Sequence, residues 1–457
     1  MTATPSVPVV DLGEVRPCLE GAIPAIMATC AADGTPNVAY ISQVHYVDED
    51  HVALSFQFFN KTRQNLLANP RSTVLVLNPH NAVFYRLHLR YLRTEDAGPV
   101  FESMKAQLAG IASHTGMADV FRLRGSDIHE VLEVERLPQE PMSEALSPPP
   151  SKPNFLAVLR RGSARLSAAR SLGAALEATL DTLENDLAVR HAMVLILDAS
   201  TQRLYTVASR GYETSGVGSE IALGDGVIGV AARECTPVRI THMTSAYLYS
   251  RAMRNSLGDA HPQNTDIPYP GLPEPHSQLA VPLRSADRVV GVLFVESPLD
   301  MQFSFEDEDL LVALGGQLGA VIDVMQEAEE PCSEDEAQAA TAKALPVAAG
   351  PALCVRHYRS NDSVFINNAY LIKGVAGAIL WTLLRHSQQG RSEFTNRELR
   401  LDRSLRLPDV ADNLEARLLL LHRRLAEQCP QLRIQKTGRG CFRFEANGSV
   451  ELQEMAT

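Results

Sequence analysis

The sequence lacks any segment suited to crossing a membrane. No window approaches the roughly 20 uninterrupted apolar residues that a membrane helix requires. Residues 1 to 18 also contain no basic stretch followed by an apolar one, so they do not resemble a secretory signal peptide. We therefore expect a cytoplasmic protein with no membrane partner.

Cysteine is also scarce. The chain has seven cysteines, which form no C-x-x-C pair and no Cys/His cluster at zinc-finger spacing. A structural metal site is therefore not expected. The cysteines are interpreted as free thiols in a reducing compartment, and a redox switch is the alternative.

The chain does contain enough apolar sequence for several domains. Its 457 residues are 45% hydrophobic and 21% charged, which is ordinary for packed globular proteins. Proline-rich or acidic stretches at 141 to 154 and 329 to 351 interrupt the periodic patterns and are interpreted as linkers. The predicted domains are residues 1 to 140, 155 to 328 and 352 to 448.

Charge is distributed unevenly along the chain. The net charge is -12, yet residues 351 to 448 contain 16 Lys and Arg against 9 Asp and Glu. An acidic body with a basic tail indicates a polyanion as the partner of the tail. A solvated basic face is the alternative.

Residues 20 to 137 alternate between β-branched runs and turns. Six strands with two inserted helices indicate a closed or split antiparallel β-barrel. The strand SFQFF leads directly into the helical segment KTRQNLLANP, so the N–H groups of a helix start coincide with Lys61, Thr62 and Arg63. This turn is a predicted anion site.

This strand and turn resemble those of the pyridoxamine-phosphate-oxidase-like flavin-binding split barrels, in which the turn holds the phosphate of FMN. The resemblance implies a cofactor-binding set of eight residues: Asn60, Lys61, Thr62 and Asn65 at the phosphate, and Ser42, Gln43, Ser55 and Gln57 at the isoalloxazine ring. The alternative is that the basic residues only solvate the helix start and that this barrel has lost its cofactor. Bound FMN and an empty barrel both remain open, and no catalytic residue is predicted.

Residues 155 to 328 combine long helical patterns with strands, which indicates an α+β layer arrangement with the helices on one face of the sheet. The turn Gly224-Asp225-Gly226 is followed, in order, by the strands SQLAVPL and VVGVLFVES. This series resembles a GAF domain, which implies a small-molecule pocket. The residues typical of cyclic-nucleotide-binding members and the Cys-His pair of bilin photoreceptors are missing, and this disfavours both ligands.

The segment from 242 to 276 has no secondary-structure pattern, and a loop of that length is usually functional or disordered. Its aromatic and basic residues suit an aromatic or anionic ligand. We expect ligand contacts from four residues: Tyr247, Tyr249, Arg251 and His276. The alternative is that the polar residues of this lid only face solvent.

Beyond Val364 the pattern indicates three helices and a hairpin. Thr395 is the predicted N-cap of the second helix, residues 410 to 427 form the third, and Gly438 and Gly440 mark the hairpin tip. These elements resemble the winged-helix output domain of response-regulator transcription factors, whose third helix enters the major groove. The resemblance implies DNA contacts from Arg417, His422, Arg423 and Arg424 on the helix and Lys436, Thr437 and Arg439 on the wing.

The run Leu418-Leu419-Leu420-Leu421 departs from that pattern, because polar residues are expected on a helix that reads DNA. Four consecutive leucines bury more than one face of a helix. The third helix is therefore either a DNA-reading helix or a helix for protein interaction or dimerisation.

Together the segments predict a multidomain protein: a split β-barrel, an α+β GAF fold and a small winged helix-turn-helix. The expected function is that of a homodimeric one-component transcriptional regulator, in which a small-molecule effector, flavin or another metabolite, controls DNA binding. One rival is a flavin-dependent oxidoreductase with regulatory GAF and interaction domains. Another is a scaffold whose units have lost their ligands.

Overall fold

The protein is represented by a computed structural model. It describes residues 10–19, 25–41, 43–56, 61–79, 81–98, 100–105, 123–138, 153–240, 267–327, 353–402, 405, 414–438 and 440–455.

The first domain is a seven-stranded antiparallel sheet with one large and one small cluster of buried apolar residues. Its strands are β1 (Ala25–Cys30), β2 (Pro36–Ile41), β3 (Val44–Tyr46), β4 (His51–Phe56), β5 (Arg71–Leu77), β6 (Phe84–Glu95) and β7 (Gly125–Arg136), in the spatial order β2-β1-β5-β6-β7-β4-β3. Alternate residues of β5 and β6, such as Val74 and Leu87, are fully buried. A 3-10 helix, Leu12–Leu19, packs into the large cluster. This sheet agrees with the predicted split barrel, except that it has seven strands rather than six, because the stretch from 36 to 47 forms both β2 and β3.

A single short helix connects β4 to β5 in this domain. Helix α1 (Lys61–Ala68) packs against β1 and β2. It begins only a few residues after β4 ends, which brings the predicted anion site to the surface of the sheet.

The central domain is a six-stranded antiparallel sheet. Two helices precede it, α2 (Phe155–Ala168) and α3 (Leu172–Leu187), and its strands are β8 (His191–Asp198), β9 (Arg203–Arg210), β10 (Glu220–Ala222), β11 (Val238–Ile240), β12 (Ser277–Ser285) and β13 (Arg288–Ser297). Helix α4 (Gly226–Glu234) lies between β10 and β11, and helix α5 (Phe305–Glu327) follows β13. The spatial order of the strands is β10-β9-β8-β13-β12-β11.

Two details of this domain differ from the sequence-based expectation. Helix α4 lies on the opposite face of the sheet from α3 and α5, because Val230 and Ala231 pack against Met193 and Phe294 rather than against the other helices. The sequence pattern over residues 165 to 189 predicts one long amphipathic helix before β8, but the structure divides this stretch between α2 and α3. Ser171 interrupts it, since its side chain accepts a hydrogen bond from the Ala174 N–H at 3.2 Å and caps α3.

The tail begins with a sheet that the sequence analysis did not identify. Strands β14 (Leu353–Tyr358), β15 (Ser363–Ile366) and β16 (Ala369–Ile372) form it, and the last strand of the chain pairs in parallel with β14. Then follow α6 (Gly374–Gln388), β17 (Glu393–Thr395), α7 (Asn396–Leu401), α8 (Leu414–Gln428), β18 (Leu432–Gly438), β19 (Cys441–Ala446) and that last strand, β20 (Val450–Met455). Strands β17, β19 and β18 form a second, three-stranded sheet.

The predicted start of the second tail helix is confirmed. Thr395 accepts a hydrogen bond from the Glu398 N–H at 3.2 Å, and the Glu398 carboxylate accepts one from the Thr395 N–H at 3.1 Å. This capping box satisfies two N–H groups that the first turn of a helix leaves without intrahelical acceptors.

The central domain and the tail share one hydrophobic cluster. It runs from Leu166 and Leu176 through Leu318 to Leu420 and Phe444 without interruption. The tail is therefore packed against the central domain rather than tethered beside it.

Three further features concern the described residues alone. No helix among them has the length and apolar character needed to span a bilayer, and no cluster of three His, Cys, Asp or Glu could hold a metal ion. Five cysteines are free thiols, as expected: Cys18, Cys30, Cys235, Cys354 and Cys429. Cys441 differs from that expectation, because it is disulfide-bonded.

Two helical glycines give opposite expectations for replacement by alanine. A Cβ at Gly377 in α6 would lie 1.9 Å from the Asp362 carbonyl oxygen, a backbone atom that cannot move aside cheaply. We expect Gly377→Ala to destabilise the fold by roughly 1–3 kcal/mol, as overpacking does. At Gly316 in α5 nothing lies within 4 Å, and Gly316→Ala should stabilise by about 0.5–1 kcal/mol. Urea unfolding followed by circular dichroism measures both, and a tolerated Gly377→Ala would refute the packing of α6 against the β14–β15 turn.

Candidate functional site

The anion site predicted in the first domain lies at the first turn of α1. Lys61 is exposed, whereas Thr62 and Asn65 are buried. Thr62 Oγ1 accepts a hydrogen bond from Asn37 Nδ2 at 3.0 Å, and Asn65 Nδ2 donates one to Thr29 Oγ1 at 3.1 Å. The hydroxyl and the amide therefore tie α1 to strands β1 and β2.

Arg63, the other basic residue of this turn, contacts a carboxylate of the barrel itself. Its guanidinium forms a salt bridge with Asp127 and donates a hydrogen bond to Thr94 Oγ1 at 2.6 Å. Its Cζ lies 4.4 Å from the centre of the Phe56 ring. Both charges are largely buried, so each needs the other. Arg63 thus stabilises the fold of this turn.

FMN fits this turn only in part. The Lys61 ammonium and the N–H groups at the start of α1 suit a phosphate. Thr62 and Asn65 do not fit that role in this conformation, because internal hydrogen bonds occupy them. Ser55 and Gln43 are neighbours, joined by a backbone hydrogen bond of 3.2 Å. Three further residues predicted at the cofactor lie outside the described residues: Ser42, Gln57 and Asn60.

The face of the central sheet beneath α4 holds a buried carboxylate. Glu296 on β13 is 1% exposed and accepts hydrogen bonds from the Leu272 N–H at 2.8 Å and from Gln278 Nε2 at 3.0 Å. The Tyr212 ring packs on the same face. Burial, followed by the charge of Glu296, raises the pKa of the Tyr212 phenol. A buried carboxylate must be hydrogen-bonded. A ligand that displaced the Leu272 N–H or the Gln278 amide from Glu296 would therefore have to donate hydrogen bonds to Glu296 in their place.

The sequence analysis missed Glu296 and Gln278, although a signal was present. Each is a polar residue that interrupts an apolar strand on the side facing α4. His276, the predicted ligand residue that the structure describes, directly precedes β12, and its Nδ1 lies 3.2 Å from Asp300 Oδ1. The other three predicted ligand residues lie outside the described residues: Tyr247, Tyr249 and Arg251.

Helix α8 of the tail contacts the central domain through a buried ion pair. Arg417 Nη2 lies 2.6 Å from Asp198 Oδ2 at the end of β8, and each residue is 7% exposed. The Arg417 guanidinium also lies 4.4 Å from the centre of the Tyr205 ring. Burial alone would raise the pKa of Asp198, but the Arg417 charge and hydrogen bonds from Ser200, Arg417 and Thr201 outweigh it and lower the pKa to about 2. The pair therefore stays charged at neutral pH.

A second basic residue of α8 also contacts the central domain. Arg423 Nη1 donates a hydrogen bond to the Val207 carbonyl oxygen of β9 at 2.8 Å, and its Nη2 donates one to Glu177 Oε1 of α3 at 2.6 Å. Just before α6, Lys373 Nζ lies 3.4 Å from Glu220 Oε2 of β10. Basic groups of the tail thus meet acidic groups of the central domain at three points.

Arg424 needs a correction, because its role here is structural. It is 7% exposed, and its Nε and Nη2 both donate to the Leu371 carbonyl oxygen of β16 at 3.1 Å. These bonds lie within the tail, so separation of the tail from the central domain would not release Arg424 for DNA. Arg417 and Arg423 are also occupied, but by groups of another domain.

The remaining predicted DNA-binding residues are more accessible. His422, Lys436 and Thr437 are exposed, and Lys436 Nζ lies 2.8 Å from Glu415 Oε2 at the start of α8. Partial burial, followed by the charges of neighbouring basic residues, lowers the pKa of His422. Arg439 lies outside the described residues. The side of α8 that carries Arg417 and Arg423 is therefore covered, whereas the side towards the hairpin is open.

Two family models match parts of this chain. The model described as "Pyridoxamine 5'-phosphate oxidase" matches residues 12–131, and the model described as "GAF domain" matches residues 169–323. They confirm the predicted relationships of the first two domains. Neither match extends into the tail, so the winged helix stays a prediction. No curated protein matches the chain.

Solved structures resemble the individual domains. The GAF domain of a phosphoenolpyruvate-protein phosphotransferase from Acinetobacter is 24% identical, with a TM-score of 0.31, over 38% of this chain and 96% of that chain. A free methionine-R-sulfoxide reductase from Neisseria meningitidis is 22% identical, with a TM-score of 0.30, over 38% and 91%. An FMN-binding protein from Syntrophomonas wolfei is 17% identical, with a TM-score of 0.24, over 28% and 86%.

The ion pair between the tail and the GAF domain makes a prediction about Asp198→Asn. This change leaves the Arg417 charge buried without its counter-charge, which costs about 3–5 kcal/mol when one partner of such a pair is removed. We expect the tail of this variant to unfold at a lower urea concentration than that of the wild type. The fluorescence of Trp381, the single tryptophan, reports the unfolding of the tail. Asp181→Asn is the control, because Asp181 pairs with Arg210 inside the GAF domain.

The same pair predicts a pH dependence. Folding lowers the pKa of Asp198 from 3.8 to about 2, so the pair stabilises the fold above pH 3.8, and this stabilisation is lost as the pH falls towards 2. The difference in unfolding midpoint between wild type and Asp198→Asn should therefore shrink over that interval. A difference that stays constant down to pH 2 would disprove the charged pair.

Proposed function

We propose that this chain is a cytoplasmic one-component sensory transcriptional regulator. Its pyridoxamine-phosphate-oxidase-like domain and its GAF domain bind and sense a small molecule, flavin or another metabolite, and its tail binds DNA as a winged helix. The observation that carries the proposal is the contact of α8 with the GAF domain through Arg417 and Asp198. If the same helix contacts the sensory domain and binds DNA, a change in the sensory domain directly affects DNA binding.

The order of elements in the tail supports a winged helix. Helices α6, α7 and α8 are followed by the β18–β19 hairpin, and β17 adds a third strand to that hairpin. Helix α8 stands immediately before the hairpin, where winged helices have their recognition helix. Lys436 and Thr437 are exposed on the hairpin, and the excess of basic residues in the tail suits a phosphate backbone.

The docked arrangement is the state that does not bind DNA. Arg417 and Arg423 contact Asp198, Val207 and Glu177 in it, so they are not available to phosphates or bases. DNA binding then requires the tail to separate from the GAF domain. An effector with different affinities for the docked and separated states shifts this equilibrium, and each 1.4 kcal/mol of difference changes DNA affinity about tenfold.

The proposal includes a homodimer formed through the barrel. Strand β2, which is terminal in the order of the described strands, exposes Val38 at 67% and Tyr40 at 78%, and the adjacent α1 exposes Leu67 at 56%. Clustered, exposed large apolar side chains mark interaction surfaces. A second copy of this chain would cover them and protect the edge of the sheet.

The regulator proposal predicts the effect of removing the acids that hold α8. The double variant Asp198→Ala, Glu177→Ala leaves the sequence of the tail unchanged but removes the carboxylate partners of Arg417 and Arg423 in the GAF domain, which weakens the docked state. We expect it to bind duplex DNA, selected from random sequence, at least about tenfold more tightly than the wild type, and to lose this affinity with rising salt. Fluorescence anisotropy measures both.

Glu184→Ala is the matched control for the double variant. Glu184 belongs to the same acidic side of α3 but contacts Arg210, at 3.0 Å, rather than the tail. It should bind DNA as the wild type does. A double variant that binds no duplex more tightly than this control would refute the regulator proposal.

The alternative function is that of a flavin-dependent oxidoreductase, and the exposed Lys61 at the start of α1 favours it. FMN, when bound, supplies the redox chemistry, and Lys61 would hold its phosphate. We expect Lys61→Ala to weaken FMN binding at least about tenfold, as loss of a charged phosphate contact does, and Arg71→Ala, an exposed cation beyond the other end of α1, to have no effect. Flavin fluorescence quenching measures the affinity. FMN-loaded protein that oxidises pyridoxamine phosphate would establish the enzyme.

A further inference from the structure

A cavity of about 660 Å³ lies where the tail meets the GAF domain. Its walls are the first turn of α3, one side of α8 and the β18–β19 hairpin. The volume falls within the roughly 300–1,000 Å³ typical of small-molecule sites. The cavity is separate from the α1 turn of the barrel and from the sheet face beneath α4.

Apolar side chains from both domains form much of the wall. They are Leu172 of α3, Leu418 and Leu419 of α8, and Leu432, Ile434 and Phe442 of the hairpin. An occupant must therefore have an apolar body, since burial of apolar surface supplies about 25 cal/mol per Å².

The two acidic and two basic side chains of the cavity wall give it no net charge. Glu415 accepts hydrogen bonds from Lys436 at 2.8 Å and from Asn396 at 2.9 Å, so both of its carboxylate oxygens are occupied. Arg433 and Glu445 stand directly opposite each other on β18 and β19. With no net charge to match, the cavity favours an uncharged ligand over an anion or a cation.

Among the other polar groups of the wall, the Arg433 guanidinium only donates hydrogen bonds, whereas the His422 ring and the Gln435 amide can donate or accept them. Arg433 uses its Nε for the Pro430 carbonyl oxygen at 3.0 Å, and its planar head carries further N–H groups. The ring of His422 and the side-chain amide of Gln435 also line the cavity. Because the Arg433 guanidinium can only donate and the Glu415 carboxylate already accepts two hydrogen bonds, a ligand atom that accepts hydrogen bonds is better suited than one that donates them.

We propose that this cavity binds an uncharged, mainly apolar small molecule with a hydrogen-bond-accepting end, and that the bound molecule holds the tail on the GAF domain. Most of the wall belongs to the tail, and Ser171, Leu172 and Gly173 of α3 add the part that comes from the GAF domain, so the wall is complete only in the docked state. A ligand that binds only this state stabilises it by RT ln(1 + [L]/Kd). The second half of the proposal rests on the proposed function, in which the docked state does not bind DNA.

Nile red tests the binding site, because it is uncharged, apolar and ends in a carbonyl acceptor. We expect its fluorescence to rise and shift to the blue with the full-length wild-type chain. Anilinonaphthalene sulfonate, an apolar probe with a fixed negative charge, should compete with it poorly. Two variants add side-chain volume to the cavity where α3 meets α8, Gly173→Leu on α3 and Leu419→Trp on α8.

The Gly173 variant should fold, because a Cβ there meets only the Leu419 Cδ1 atom, at 3.5 Å, and leucine favours a helix more than glycine does. We expect each filling variant to weaken Nile red at least tenfold, and Leu156→Trp, at a 79% exposed leucine of α2, to leave it unchanged. Circular dichroism confirms folding. Unchanged Nile red affinity in Gly173→Leu, or no binding by the wild type, would overturn the site.

The effect of the bound molecule on the tail is tested separately, by measuring DNA affinity. Saturating Nile red should lower the affinity of the wild type for the selected duplex and leave that of Gly173→Leu unaffected. If Nile red binds as expected but no variant binds DNA, the ligand site stands and the proposed function fails. If the double variant binds DNA more tightly but neither filling variant changes the affinity for Nile red, the proposed function stands and the cavity proposal fails.

Discussion

A buried ion pair between two domains constrains the arrangement of the described part of this molecule. Arg417 and Asp198 are both almost inaccessible to solvent, and either charge left alone in that place would cost several kcal/mol. Helix α8 can therefore leave the GAF domain only where water or another anion replaces Asp198. A DNA phosphate is such an anion. In the proposed regulation, the GAF domain and DNA would compete for the same guanidinium groups.

The GAF domain occupies the middle of this arrangement because it contacts both neighbours. On the barrel side, Arg16 of the 3-10 helix lies 3.4 Å from Asp309 of α5, and its Cζ is 4.4 Å from the centre of the Phe305 ring. On the tail side, the shared hydrophobic cluster and the Arg423 contacts continue from α3 and β9 into α8. A ligand bound to the barrel or to the GAF domain would affect the tail only through a difference in free energy between the docked and separated states. The contacts that would transmit such a difference join the barrel to α5 of the GAF domain, and the GAF domain to α8.

The sequence predicted those features that depend on residues close together in the chain. Thr395 and Glu398 form a capping box because the bonds between them span a single helical turn, and the four leucines of α8 do bury more than one face of that helix. The partners of Arg417 and Arg423 could not be predicted, since Asp198 and Glu177 lie more than two hundred residues away in the chain. The hydrogen bonds that occupy Thr62 and Asn65 also join residues far apart in the chain, so the sequence alone did not indicate them. Glu296 was missed because one carboxylate in an apolar strand has no motif of its own.

In the proposed regulation, binding of DNA uncovers the surface of the GAF domain that α8 covers in the free protein. Carbodiimide labelling of carboxylates, read by mass spectrometry with and without a bound duplex, measures this directly at Asp198. The account predicts that Asp198, 7% exposed in the docked state, resists labelling in the free protein and becomes reactive when DNA is bound, while Asp181 reacts equally in both. An Asp198 that stays protected with DNA bound to the tail would contradict the account, because α8 would then bind DNA without leaving the GAF domain.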